Sequence, residues 1–303
     1  MNSKNNMISI VVPCFNSGFF LAECIASILA SKIKCLVEVI IVDDGSTDDI
    51  TLDLLGEFMS LDNVIVERLP HNHGVQYARN IGIVKSNGNF LMTLDSDDKL
   101  HNNIDGGSYI DEAINVLEND FDVAFVHCYS EMFGEYSGMT ISSYPLNEDL
   151  IVSKHHVPTS IIYRKSDLDT GDNYLLGLQK WQDWSFGVKI LANRWANNLF
   201  NKIYAITRPH HQYRVHFEWA RISYSNVNEY EMTLMTIIDS IRYFQSLMGS
   251  ESAEHIAKTV LAMKPLKVNE LCHIANHDVV LAYKIIHERK FRLESSNVDN
   301  RIP

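Results

Sequence analysis

Four runs of β-branched and large apolar residues, at 8–12, 37–42, 64–66 and 90–94, alternate with stretches of helical periodicity, and this alternation leaves few folds open. Apolar runs without polar interruption read as strands buried on both faces, the environment of a parallel sheet covered by helices. After the turn at Asn16 to Gly18, Leu21, Ile25, Ile28 and Leu29 fall on one helical face. Leu52, Leu55 and Phe58 mark a second helix, with Ser46 or Thr47 as its cap. A third helix is expected over 74–84, and a fourth carries Ile110, Ile114 and Leu117 before a fifth strand at 121–127. Pro13 is expected to end the first strand. Short connections between alternating strands and helices predict an α/β fold with a mostly parallel sheet wound on both sides.

Two of these strands run into carboxylates. The second ends in Asp43-Asp44, followed by Gly45, Ser46, Thr47 and Asp48; the fourth ends in Asp95-Ser96-Asp97-Asp98. In a parallel sheet both clusters lie along the edge where open α/β folds bind ligands. Asp43 and Asp44 leave their strand where a carboxylate accepts hydrogen bonds from a base N–H or a ribose hydroxyl. Three acids within four positions repel one another unless a cation or hydrogen-bond donors sit among them. A hard divalent cation shared with substrate phosphates, Mg²⁺ or Mn²⁺, suits such a cluster. A solvated acidic turn at a helix N-terminus explains either cluster alone, and the coincidence of two at one edge weighs against it. Neither G-x-G-x-x-G nor G-x-x-x-x-G-K-[ST] occurs, so phosphates in this crevice need another source of neutralisation, which a metal at Asp97 supplies.

Composition narrows the partners. With 26 Lys and Arg against 38 Asp and Glu, the net charge of -12 excludes the basic face that a nucleic-acid binder requires. Five scattered cysteines without a C-x-x-C pair read as small buried hydrophobes in a reducing compartment. The polar start of the chain carries no secretory leader, and no stretch reaches the roughly 20 apolar residues of a membrane span. The expected location is the cytoplasm, with a peripheral place at the inner face of the membrane left open.

Four motifs in order, Pro13-Cys-Phe15-Asn16, Val42-Asp43-Asp44-Gly45-Ser46, Gly74 through Ala78-Arg79-Asn80 to Gly82, and Leu94-Asp95-Ser96-Asp97-Asp98, resemble the signature of family 2 glycosyltransferases with the GT-A fold. The resemblance covers roughly the first hundred residues. It implies a Rossmann-like, mostly parallel mixed sheet flanked by helices, a nucleoside-diphosphate-sugar donor, a divalent metal and inversion at the anomeric carbon by a single displacement. Carried over by position, Pro13, Phe15 and Asn16 line the uridine side and Asp44 meets the base, with Asp43, Gly74 and Ser96 also in the nucleotide-sugar pocket. Arg79 helps hold the nucleotide end, Asp95 faces ribose or sugar, and Asp97 ligates the metal. Asp98 either touches the sugar or caps the next helix.

Inversion needs a general base across the crevice to deprotonate the acceptor hydroxyl. Trp181-Gln182-Asp183-Trp184 opens a helical segment and looks like the family's Glu-Asp motif, with Asp183 at the base position and Gln182 departing from the commoner Glu. Trp181, Gln182 and Trp184 are candidate acceptor contacts. Arg208 to His216, rich in imidazole and guanidinium, resembles the family's tyrosine-arginine-x-histidine stretch; Arg214 is a candidate phosphate ligand and His216 a metal ligand or diphosphate contact. Residues 131–149 read as a lid or acceptor loop, since they hold glycines and serines and few apolar anchors.

From Asn226 the pattern turns helical. Tyr230, Leu234, Ile237, Ile238, Ile241 and Phe244 share a face, and shorter helices are expected at 253–263, 268–274 and 278–289. The expected division is thus a GT-A domain at 1–220 and a helical C-terminal region at 221–303, which serves packing, a homodimer or the acceptor. The leading expectation is transfer of one sugar to a saccharide or lipid-linked saccharide in bacterial surface polysaccharide or glycolipid assembly. Asn193-Arg194-Trp195 lacks the upstream Gln of the processive synthases' Q-x-x-R-W, which favours single addition. A nucleotidyltransferase-like enzyme would want a basic, glycine-rich loop after strand one. A non-catalytic nucleotide-sugar-binding module would have no use for the acids at Asp97 and Asp183.

Overall fold

The computed structural model describes residues 6–102, 104, 107–216 and 227–295. In chain order its elements are β1 (Met7–Cys14), α1 (Phe19–Leu29), β2 (Leu36–Asp43), α2 (Asp49–Phe58), β3 (Val64–Arg68), α3 (Val75–Lys85), β4 (Phe90–Thr93), β5 (Lys99–Leu100), α4 (Tyr109–Asn119), β6 (Val123–Gly134), β7 (Gly138–Met139), α5 (Glu148–Lys154), β8 (Ile162–Arg164), α6 (Gln182–Ala196), β9 (Lys202–Val215), α7 (Glu229–Asp239), α8 (Ile241–Met248), α9 (Ala253–Met263), α10 (Lys267–His277) and α11 (Val279–Ser295).

The four β-branched runs become β1 to β4 and pair in parallel, β1 lying between β2 and β4 and β3 lying outside β2. The chain moves from β1 outward to β3 and then returns to β4 on the other side. That reversal opens a crevice at the C-terminal ends of β1, β2 and β4, the place where doubly wound sheets bind ligands. Beyond β4 the sheet is mixed: β8 runs antiparallel to β4 and β6, β9 runs parallel to β6, and β5 pairs antiparallel with β9. One face packs on α1, α2 and α4 through Leu21, Ile25, Leu55, Ile110 and Leu117. On the other face Leu91, Phe125 and Tyr163 share a single core with Trp184, Val188 and Leu191 of α6 and with Ile237, Phe244, Ile256, Val260, Ile274 and Ile285 of the C-terminal helices.

Several expectations shift. β1 runs through Pro13 to Cys14. Leu94 N donates to Val11 O, so Val11 and hence Pro13 face the β4 side, and pairing with β4 ends at Val11. The N–H that proline lacks therefore has no ladder to serve. The cap of α2 is Asp48, whose carboxylate accepts from Thr51 N, in place of Ser46 or Thr47. No lid occupies 131–149: its start completes β6, and Met139, Tyr144 and Leu146 are buried anchors. The long helix expected from Asn226 divides at Ser240 into α7 and α8, and Ile238 turns outward, 56% exposed. Asn226 and the expected domain boundary at 220/221 lie outside the described residues, as do residues 1–5 of the polar start. Among the described residues, no helix is long and apolar enough to cross a membrane.

Candidate active site

At the end of β2 every carboxylate oxygen has a donor. Asp43 accepts from Ser46 N (2.9 Å) and Arg68 Nε (3.0 Å), while Asp44 accepts from His73 N and Gly74 N, both at 2.8 Å. Gly45 makes this possible, because a Cβ there would lie 2.6 Å from the His71 carbonyl carbon, and its φ of +80° suits glycine. Across the crevice, Asn16 Oδ1 accepts from Thr47 N and Asp48 N, and Asn16 N donates to Ser46 Oγ. Pro13 is buried in β1, whereas Phe15 projects, 44% exposed. Asp43, expected in the pocket, is fully buried and acts as an internal brace.

The second cluster is less saturated. Arg79, on the inner face of α3 and 3% exposed, bridges two carboxylates, donating from Nη2 to Asp95 (2.7 Å) and from Nη1 to Asp183 (2.9 Å). Its guanidinium lies over Tyr174, 5.0 Å from the ring centroid. Asp183, in the first turn of α6, also accepts from Thr159 Oγ1 at 3.1 Å. Burial pushes the Asp183 carboxyl above the usual carboxylate range, against the pull of Arg79. Thus β4, α3 and α6 converge on one Arg79-centred junction.

Asp97 stands beside it, with Oδ2 2.9 Å from His216 Nε2 at the end of β9. Burial, then the Asp95 charge, pushes the Asp97 carboxyl up, opposed by His216. Ser96 Oγ pairs with Ser17 Oγ at 2.7 Å. Arg214 donates from Nε to Asp97 O and from Nη2 to Glu23, with its guanidinium over the rings of Phe20 and Phe133.

Three candidates take other places. Asp98 neither faces the crevice nor caps a helix, because β5 follows it directly. It is 1% exposed and accepts from Arg214 N and His211 Nε2, tying β5 to β9. Burial pushes its carboxyl up to about 7 against the pull of His211, while burial lowers the His211 imidazole and the Asp98 carboxylate more than offsets it, raising the ring above its ordinary value. Trp184 is a core residue, 1% exposed, donating from Nε1 to Ile151 O, and so offers no face to a sugar. Gln182 is buried and donates to Leu178 O. Trp181 keeps a rim position in a left-handed turn (φ 63°), with the ammonium groups of Lys264 and Lys180 over its ring.

The sequence reading missed Thr159 and Tyr174. Both come from irregular segments distant in sequence from the residues they serve, and neither belongs to a motif or periodic pattern. Asn80, next to Arg79, accepts from Asn173 N and Tyr174 N and so fastens the segment carrying Tyr174. A cavity of about 1290 Å³ lies apart from these acids, between α4 and the segment that joins α1 to β2.

Comparison with known proteins follows the same geometry. The chain is 35% identical over 127 residues to the glycosyltransferase GlyG of Streptococcus pneumoniae, a match covering 42% of this chain and 40% of GlyG. It is 28% identical over 164 residues to TuaG of Bacillus subtilis, described as a putative teichuronic acid biosynthesis glycosyltransferase, covering 54% of this chain and 58% of TuaG. The chain therefore spans about half the length of these relatives. Residues 1–349 of S. aureus TarS, solved in complex with UDP-GlcNAc, superpose with a TM-score of 0.64 at 21% identity, covering 89% of this chain and 72% of that one, which establishes the GT-A fold. The model of "Glycosyl transferase family 2" matches residues 9–171, more than half of the chain and the whole of the crevice up to Thr159. The protein belongs to glycosyl transferase family 2.

Proposed function

We propose that the chain is an inverting glycosyltransferase that moves one sugar from a UDP-sugar to an acceptor hydroxyl in the assembly of a bacterial surface polysaccharide or glycolipid. The observation that carries this reading is the Arg79 junction, which sets a donor-side carboxylate, Asp95, and an acceptor-side carboxylate, Asp183, on opposite arms of one guanidinium. The UDP-GlcNAc complex of TarS supports the donor class, and the description of TuaG supports the polymer.

The residues fit a divalent cation of the kind that keeps part of its shell for substrate and water. Among the described residues no group of three or more His, Cys, Asp or Glu could hold a metal ion, but Asp97 and His216 already face each other and Asp97 is 36% exposed. Mn²⁺ or Mg²⁺ held by Asp97 and His216 together with diphosphate oxygens would neutralise charge on the leaving group. Phe15 and Asn16 take the nucleoside end, Asp44 holds the 73–74 backbone beside them, and Asp95 takes the ribose or sugar. The acceptor oxygen attacks C1 from the face opposite the diphosphate. Its proton passes to Asp183, the new C1–O bond forms, and the bond from C1 to the diphosphate oxygen breaks with its electron pair leaving on UDP. Burial, which raises the Asp183 carboxyl against the pull of Arg79, strengthens it as a base.

Calorimetry with UDP in the presence and absence of Mn²⁺, combined with UDP release from UDP-GlcNAc, UDP-glucose and UDP-galactose, tests the reading. Metal-dependent UDP binding is expected, together with turnover of at least one donor that Asp183→Asn abolishes while leaving UDP affinity near wild type. Absence of binding to any nucleoside diphosphate in Mn²⁺ removes the proposal.

A further inference from the structure

The stretch 151–159, from within α5 toward β8, is fastened to the first two turns of α6 at three levels. Trp184 Nε1 donates to Ile151 O at 2.6 Å. Gly187 lies so close to Val157 that a Cβ on the glycine would meet Val157 Cγ2 at 2.9 Å. Thr159 Oγ1 donates to Asp183 Oδ2 at 3.1 Å. Residues 183, 184 and 187 share one side of the helix, so the three contacts form a continuous seam. His155 extends the seam, its ring 4.3 Å from Trp184 and 4.6 Å from Trp181.

The carboxylate at the head of that seam is thus held at both oxygens, at Oδ1 by Arg79 and at Oδ2 by Thr159. A carboxylate held by one partner still turns about its Cβ–Cγ bond, and two donors of different origin fix the plane of the group. Asp183 nevertheless remains 28% exposed, so a lone pair stays open for an incoming hydroxyl. Tyr174 buttresses the Arg79 arm, and the 151–159 segment buttresses the Thr159 arm.

We propose that Thr159 is a positioning residue for the general base: its hydroxyl sets the plane of the Asp183 carboxylate so that the free lone pair faces the acceptor. This rests on the assignment of Asp183 as base. The arrangement matters to rate because a base must lie along the hydroxyl's proton axis at the moment of attack, whereas donor binding on the far side of Arg79 makes no use of it.

The test compares Thr159→Val, which is nearly isosteric and removes the donor, with Thr159→Ser, which restores it. UDP release from the best of the three donors above is followed across pH, with UDP affinity and thermal midpoint as controls. Thr159→Val is expected to lower kcat roughly tenfold, with donor KM within about twofold. The acidic limb of its profile moves to higher pH, since loss of a bond to the charged carboxylate disfavours ionisation. Thr159→Ser recovers most of the rate and the original limb. If Thr159→Val fails to fold, Thr159→Ala against Thr159→Ser carries the same comparison. A Thr159→Val enzyme with wild-type kcat and pH profile overturns the inference, as does a serine variant as impaired as valine, which would make the methyl group the working part. If the wild type releases UDP from no donor, the glycosyltransferase reading falls and this inference with it; an active wild type with an indifferent Thr159→Val sinks the inference alone.

Discussion

The two acid clusters at the crevice look alike in sequence and differ in what they have left to give. Asp43 and Asp44 are 0% and 3% exposed, and each of their oxygens accepts from a backbone N–H or from Arg68. Asp95 and Asp97 keep 31% and 36% of their side-chain surface, each with one side-chain partner, while Asp98 between them and β5 is saturated like the first pair. A carboxylate whose lone pairs are occupied by framework donors is part of the framework, and one with lone pairs open toward the crevice can meet a ligand or a cation. The number of acids is therefore less informative than the number of donors the fold sends to each.

Removing Asp97 is the strongest way to test this distinction. Asp97→Ala is expected to cost about two to three orders of magnitude in kcat and to erase the Mn²⁺ dependence of UDP binding, with little change in thermal midpoint because few framework bonds are lost. Calorimetry with and without Mn²⁺ reads this directly; retained metal-stimulated UDP binding would show that Asp97 is framework after all. Asp44→Asn sharpens the other side. An amide presents an NH₂ group where two backbone N–H groups need acceptors, leaving one of them unmatched at a cost of about 1–3 kcal/mol. The expected result is a lower urea midpoint with the 71–74 loop loosened, weaker UDP binding, and a kcat at saturating donor reduced far less than in Asp97→Ala. A larger kcat loss than that of Asp97→Ala would reverse the ranking of the two clusters.

This distinction also marks what the sequence could reveal. β1 to β4, α1 to α4 and the crevice edge follow from periodicity and β-branching, both local signals, and the family resemblance named the acids and Arg79. What stayed hidden depends on contacts between distant segments. Nothing near Asp98 announces that His211 and the Arg214 backbone, more than a hundred positions away, take its lone pairs. Trp184 sits beside the base in sequence, yet one step further round the same side of the helix it is buried in the core, bonded to Ile151 O. The long helix expected from Asn226 failed at Ser240 because apolar spacing continues across the break while the backbone does not.

The opposite edge of the sheet offers the cleanest separation of framework from chemistry, with the smallest effect on activity. Glu38 lies on β2 toward the end away from the crevice, 5% exposed, and accepts from Ser9 Oγ, Asn87 N, Asn87 Nδ2 and Gly88 N. Burial pushes its carboxyl up, but the donors from Ser9, Asn87 and Gly88 together outweigh burial and hold it below the usual glutamate range. A folded-state pKa below the unfolded one stabilises the protein above the unfolded value of about 4.3, and that contribution fades as pH falls through the folded value. Glu38→Gln is then expected to lose about 1–3 kcal/mol at pH 7 while the gap to wild type narrows in acid. Urea denaturation at pH 7 and at about pH 3.5, with kcat measured at pH 7, checks both halves. Equal stability of the two proteins at pH 7 would mean that the donors around Glu38 are satisfied as well by a neutral amide. A kcat changed as much as the stability would mean that the two ends of β2 are not independent, and the separation of framework carboxylates from chemical ones would then fail where it is simplest to test.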